Sequence, residues 1–421
     1  MLNYYIFYII QIKVQEKIDR DLGILTSLLI LMSGFTFPIN QGLVILLGLN
    51  GSTTFNTFIR TFVLILSLYL IYKSASLKHP LKLSNGSICL IVFYALYVIR
   101  VIFDLEFAGV EIDEKSNFLV YSFTIGATFI PLLAVALNAK FIDFDRLLVL
   151  MFYSLLISNI FILLNVLRDG FSIDLFLIRN VVSQEGKDEN ILNPITVGMY
   201  GELLALASLV TLIFIDSPPV RNKILLCICF MIGTLTMLLG ASRGPILSFL
   251  LICTYLSFIF ILRQKSVLNL TFSFAIVSLI VVGLILYVSG LSESDFFILE
   301  RLNSFAENGD EVRVDLFNGA WSQFLKSPII GDRIVERVYK FYPHNLLIEV
   351  LMATGLIGFS LFFSAIITPL SNLRKLINVR NHRFLFYIIF IVFFMISSTS
   401  GSLVFSSDFF VYLSFILSFK I

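Results

Sequence analysis

Apolar runs of about 20 residues recur along the whole chain, and few charges interrupt them. A helix of that length spans the roughly 30 Å hydrocarbon core of a bilayer. A barrel strand would need only about ten residues with alternating polarity, which is not the pattern here. The runs fall at 23–46, 57–73, 86–104, 118–138, 146–166, 194–215, 221–240, 244–262, 268–289, 344–369, 384–400 and 404–419. They predict an all-α polytopic membrane protein with about 12 transmembrane helices, a single integral membrane domain over residues 1–421. Charged residues make up 14% of the chain. A soluble domain carries roughly 25%, so there is too little polar surface here to coat a globule. Pro38, Asn40 and Gln41 interrupt the first run, which reads as one kinked helix or a broken pair.

Lys and Arg orient the runs, because cytoplasmic loops collect them. With Lys13, Lys17 and Arg20 placed in the cytoplasm, every second loop is basic: Lys73, Lys78 and Lys82; Lys140 and Arg146; Arg221 and Lys223; Arg263 and Lys265; Arg374, Lys375, Arg380 and Arg383; and Lys420. The short loops on the other side lack this excess: 47–56 and 401–403 are uncharged, and 104–117 is acidic. Both termini are therefore expected inside. Residues 1–21 have no small-residue cleavage site and read as an interfacial segment rather than a signal peptide. Two long loops fall outside, at 167–193 and 290–343. The second is expected to be partly helical, with Val312, Leu316, Ala320 and Phe324 at helical spacing on an amphipathic helix over 311–326. Cys89, Cys227, Cys229 and Cys253 all sit in apolar runs and read as small packing residues.

The informative charges are those on the sparsely basic side. Arg243 occupies a tight outer turn, Gly240-Ala241-Ser242-Arg243-Gly244. Arg313 lies in the long outer loop, Arg100 near the outer end of the third run and Arg60 near the outer start of the second. An Arg held against the insertion bias suits an anion, since its planar fork gives bidentate, charge-assisted bonds. The bland reading is snorkelling to headgroups, which fits Arg60 and Arg100 at least as well. Glu202 and Glu349 are intramembrane acids, either substrate contacts or groups that fix helix packing. His344 is the histidine on the outer side; His79 and His382 fall in basic cytoplasmic loops. A His can take a proton from a hydroxyl near neutral pH, while Asn345 beside it would also cap the helix that follows. Trp321, the single Trp, lies in the same loop. Asp143-Phe144-Asp145 matches the Asp-x-Asp pattern of metal-binding glycosyltransferases but sits in a connection of a few residues with no nucleotide domain. No phosphate loop, dinucleotide turn or metal cluster is visible in the sequence, so no metal, cofactor or nucleic-acid partner is expected.

Three features resemble the O-antigen ligase/O-antigen polymerase family of bacterial envelope glycosyltransferases. The first is Ser242-Arg243-Gly244 after a Leu/Gly-rich run. The second is Arg313, then Trp321, then Ser327-Pro328-Ile329-Ile330-Gly331. The third is His344-Asn345 leading to Glu349 and Thr354-Gly355-Leu356-Ile357-Gly358. These cover 240–358, and Asp332-Arg333 stands where a further small residue would be expected. The resemblance implies an inner-membrane enzyme with a periplasmic active site and a large periplasmic loop between helices 9 and 10. Its donor would be an undecaprenyl-diphosphate-linked oligosaccharide. Its acceptor would be a lipid-linked glycan for a polymerase or the lipid A core for a ligase, with transfer inverting and metal-independent. Membrane lipids, a chain-length regulator and a flippase would be its surroundings. Arg243, Arg313 and His344 are then the expected catalytic residues; Arg100, Arg60, Glu202, Asn345, Glu349 and Trp321 are the expected substrate contacts. The polymerase is preferred here, the ligase is the alternative, and a lipid-linked sugar flippase or transporter is the reading from another class.

Overall fold

The computed structural model describes residues 2–46, 52–76, 83–112, 116–168, 193–215, 222–240, 242–263, 311–376 and 383–419. The expected span at 268–289, all but the edges of the outer loop 167–193 and the first part of the second long loop lie outside these residues. So do His79 and His382.

The described residues are overwhelmingly helical. In chain order they form α1 (Leu2–Gly34), α2 (Phe37–Leu46), α3 (Ser52–Ser76), α4 (Asn85–Ile102), α5 (Asn117–Tyr121), α6 (Ile130–Asn138), α7 (Phe144–Arg168), α8 (Pro194–Phe214), α9 (Lys223–Leu239) and α10 (Arg243–Arg263). After the undescribed stretch come α11 (Glu311–Lys326), α12 (Leu346–Leu376), α13 (Arg383–Ser400) and α14 (Ser407–Leu417). Seven helices are long and apolar enough to cross a membrane, eight if the bent pair α1–α2 is one span. Three expected spans appear as shorter apolar helices, Lys223–Leu239, Gly244–Ile259 and Ser407–Leu417. The chain is thus a multi-pass membrane protein.

The first run is a broken pair, bent by 70°. The break exposes carbonyls, and a bilayer offers them no water. Neighbouring helices supply the donors: Ser154 and Ser158 of α7 bond the Phe35 carbonyl at 2.9 and 3.1 Å, and Tyr200 of α8 bonds that of Gly34 at 2.9 Å. The span carrying α5 and α6 also departs from a plain helix. Residues Ser122–Phe129 between them are π-helical, and a second π-helical turn, Phe103–Phe107, ends α4. Wide turns of this kind frequently mark functional sites.

α8 is central: 83% of its apolar window is buried, against 22% for α3 at the periphery. It packs against α9 through glycines, since a Cβ on Gly201 would collide with the Met237 nitrogen and one on Gly233 would lie 2.6 Å from the Ala205 nitrogen. Small residues let membrane helices approach this closely. Aromatic rings fill the space between α4, α12 and α14, with Phe93 5.1 Å from Phe362 and Tyr94 4.9 Å from Phe410.

The two ends of the bundle differ in chemistry. One gathers Ser84, Phe144, Phe386 and Phe419, with Arg383 over the Phe144 ring and Lys140 over Phe141. The other gathers the α1–α2 break, Arg60, Phe123, Tyr200 and Asp408. Asp143 turns out to start α7, its carboxylate accepting from the Arg146 nitrogen at 3.2 Å. The Asp-x-Asp pair is a helix start.

Candidate functional site

The expected loop helix is present as α11, with Leu316, Ala320 and Phe324 buried along one face. That face lies on α12, where Ala320 joins Ile348 and Met352. Beyond α11 the chain is held by backbone bonds at a break in α12. Gly355 has φ 61° and ψ −161°, a conformation open to little but glycine. The break frees the Leu356 and Ile357 N–H groups, which donate to the Pro328 and Ile329 carbonyls at 2.8 and 3.2 Å. It also frees the Met352 carbonyl, which accepts from the Asp332 nitrogen at 2.7 Å. A Cβ on Gly355 would strike the Ile329 carbonyl, and one on Gly331 would strike the Ala353 backbone. The Pro328–Gly331 turn and the Thr354–Gly358 stretch are therefore two halves of one backbone joint.

The joint fixes the loop 332–345, and several side chains fasten it. The Asp104 carboxylate at the end of α4 accepts from the Ile334 nitrogen at 2.8 Å and pairs with Arg100 at 3.1 Å. Arg337 grips Asp332 in a fork at 2.6 and 2.9 Å. Burial favours the protonated Asp332, but the Arg337 bond and charge, with Arg333 and Arg100 behind them, outweigh it and hold the carboxyl below its ordinary range. Glu336 accepts from the Val338 and Tyr339 nitrogens, Tyr339 bonds Asp315 of α11, and Lys340 bonds Glu111.

This frame delivers His344, which has a left-handed φ of 52°. Such a φ is rare outside glycine and costs of order 1–3 kcal/mol, so it persists only where the surroundings impose it. Here Asn345 follows at once and caps α12, its side chain accepting from the Ile348 nitrogen at 3.1 Å. The imidazole is packed by Phe341 and Tyr342, with ring centroids 5.4 and 4.6 Å away. The Ser400 backbone at the end of α13 faces the ring and favours its protonated form. Burial first, and the Arg313 charge second, lower the His344 pKa below its ordinary value, with the Ser400 backbone opposing. Arg313 also acts on the neighbouring Tyr342, opposing the upward shift that burial and the Glu349 charge impose there. The structure thus brings Arg313 and His344 into one electrostatic neighbourhood.

The remaining expected site residues divide. Arg243 begins α10, described in its backbone alone; its neighbour Gly244 faces Thr399, next to the Ser400 whose backbone acts on His344. Glu349 is buried and accepts from Ser402 Oγ and the Leu403 nitrogen at 3.2 and 3.1 Å, bracing the α13–α14 connection from below. Arg100 is engaged with Asp104. Trp321 is 41% exposed and leans on Phe324. Glu202 is fully buried beside Ser248 without good hydrogen-bond geometry, and among the described residues it forms no ion pair. Arg60 lies over the Phe123 ring at 4.0 Å, in a cavity wall shared with Asp408. Sequence reasoning passed over Asp104 and Asp408, although an acid within an apolar run is the signal that had singled out Glu202 and Glu349. Among the described residues no group of His, Cys, Asp and Glu is arranged to hold a metal.

Residues 228–363 match the O-antigen ligase family. The matched segment runs from α9 into α12 and takes in about a third of the chain. It includes Arg243, Arg313, Trp321, His344, Asn345, Glu349 and both halves of the glycine joint, which supports the resemblance to the O-antigen ligase and polymerase family. Arg60, Arg100 and Glu202 fall outside the O-antigen ligase segment. No curated protein and no solved structure matches.

Proposed function

We propose that the chain is a membrane glycosyltransferase that polymerises O-antigen or a related envelope polysaccharide. Its donor is a glycan on undecaprenyl diphosphate, and its acceptor is a sugar hydroxyl on another lipid-linked glycan at the periplasmic face. The observation that carries this reading is the charge of Arg313 acting on a strained, half-buried His344 inside the O-antigen ligase segment. A glycosyl diphosphate has a good leaving group, so the reaction needs positive charge on the diphosphate and a base for the acceptor. Arg313, with Arg243 at the start of α10, supplies the charge; one well-placed donor of this kind is worth about 3–4 kcal/mol in the transition state. His344 is the base. In its neutral form one ring nitrogen carries hydrogen and the other is free to accept. The acceptor oxygen gives its proton to that nitrogen and bonds the anomeric carbon. The bond from that carbon to the diphosphate breaks from the opposite side, and the electron pair leaves with the phosphate. The configuration inverts.

The polymerase reading is favoured by composition, since the chain is rich in Phe, with 44, as such polymerases often are. The ligase reading, with lipid A core as acceptor, is favoured by the description of the matched family. The surface glycolipid ladder of a strain lacking the gene separates them. Core bearing a single repeat unit indicates a polymerase, and bare core with accumulated lipid-linked polymer indicates a ligase. Complementation with wild type should restore the ladder and His344→Ala should not; an unchanged ladder on deletion would refute both.

A further inference from the structure

A cavity of about 250 Å³ opens near His344, yet neither His344 nor Arg313 lines it. Five segments far apart in sequence enclose it: the α1–α2 break, the start of α3, the π-helical turn at 122–129, the start of α8 and the start of α14. Every lining residue falls outside 228–363. Its wall carries one cation and one anion, Arg60 and Asp408, together with Asn40, Asn56 and Tyr200. Ser33 also lines it, and its buried hydroxyl has no hydrogen-bond partner among the described residues.

This chemistry selects its occupant. A lipid chain has no use for a wall of paired charges and amides, and a lone phosphate would be repelled by Asp408 as it is drawn by Arg60. A neutral polyol suits both, because a guanidinium offers parallel donors and a carboxylate parallel acceptors to neighbouring hydroxyls. Phe123 and Phe405 supply apolar faces for the C–H side of a ring. The volume is just below the ≈ 300–1,000 Å³ of sites that hold drug-sized ligands, which suits one sugar ring better than an oligosaccharide.

Aromatic rings join the cavity to His344. Phe405 lies 4.9 Å from Phe123 and 6.0 Å from Tyr342, and Tyr342 lies 4.6 Å from His344. The connection that carries Phe405 is braced by Glu349 and by the Tyr94 hydroxyl on the Leu403 carbonyl at 2.9 Å. The Ser242–Gly244 turn reaches the same histidine by another route, through Thr399 and Ser400. We propose that the cavity is the acceptor subsite: it seats one neutral sugar ring of the acceptor glycan, with Arg60 and Asp408 bonding its hydroxyls, while the donor diphosphate is held on the Arg313 and Arg243 side. This rests on the glycan-transfer reading above.

The test uses the full-length protein in nanodiscs. The donor is the lipid-linked repeat unit extracted from the deletion strain, and the acceptor probe is the oligosaccharide released from that lipid by mild acid. Arg60→Gln and the nearly isosteric Asn56→Leu should each raise the acceptor KM about ten-fold or more, with the donor KM within about two-fold. A rise confined to the donor KM, or unchanged KM values in both variants, overturns the assignment and leaves glycan transfer standing. Failure of the wild-type protein to elongate the probe overturns the polymerase reading and the subsite together.

Discussion

At the scale of single residues the proposed mechanism turns on the protonation of His344. Burial and Arg313 place its pKa below the ordinary 6.5, so the neutral, proton-accepting form prevails at neutral pH. Transfer should therefore hold steady through neutrality and fall as pH drops through a midpoint below about 6.5. Arg313→Gln removes one of the two lowering causes, so the midpoint of the pH–rate profile should move up while the rate itself falls. A midpoint that moved down would contradict the placement of Arg313 beside His344. His344→Ala should cost roughly 100-fold or more in rate, the usual worth of a general base, with the protein still inserted and of normal yield. His344, Arg313 and the Ser242–Gly244 turn drew notice in the sequence because a His and outer Arg residues stand out against a nearly uncharged background. Asp408 and the cavity were not, because their parts are brought together only by packing among distant helices.

At the scale of elements the joint between Pro328–Gly331 and the break in α12 decides where His344 stands. Gly355→Ala forces a Cβ into the Ile329 carbonyl and an L residue into a region that costs about 1–3 kcal/mol before any clash. The expected result is a lower melting temperature in detergent and loss of transfer; a neutral outcome would mean that the joint is not closed. Glu349→Ala should increase hydrogen exchange over 401–406, where Ser402 and Leu403 lose their acceptor, and Glu349→Gln should restore much of the protection. α11 was readable from a helical spacing of apolar residues, since one of its faces is buried and the other is not. The break in α12 and the π-helical turns were not readable. Each leaves the apolar composition of its run unchanged, and the run is all that a hydropathy argument sees. The two glycine motifs read as family signatures in the sequence; the structure gives them a mechanical meaning, each filling the backbone gap of the other.

At the scale of the whole molecule the basic end and the site end stand opposite one another. If cytoplasmic loops collect Lys and Arg here as they do generally, Lys140 faces the cytoplasm and Lys340 the periplasm. With the four native cysteines replaced, Lys340→Cys should react with a membrane-impermeant maleimide once the outer membrane is opened. Lys140→Cys should react only after the inner membrane is breached; the reverse order would invert the assignment. The chain's class and the charge pattern of its loops were plain from the sequence, because lipid tolerates so few alternatives.

The frame that positions His344 is tied to helices far apart in the sequence. Asp104 holds Ile334 across 230 positions, and Tyr94 holds Leu403 across 309. A ribosome delivers these partners in sequence, so α4 must wait in the membrane while some 300 further residues are made. Until α13 and α14 have been inserted, Glu349 lacks its donors and the imidazole lacks the Ser400 backbone. On the proposed reading, a chain that stops before α13 and α14 should be inserted yet catalytically silent, because the histidine's frame is closed only when that pair arrives.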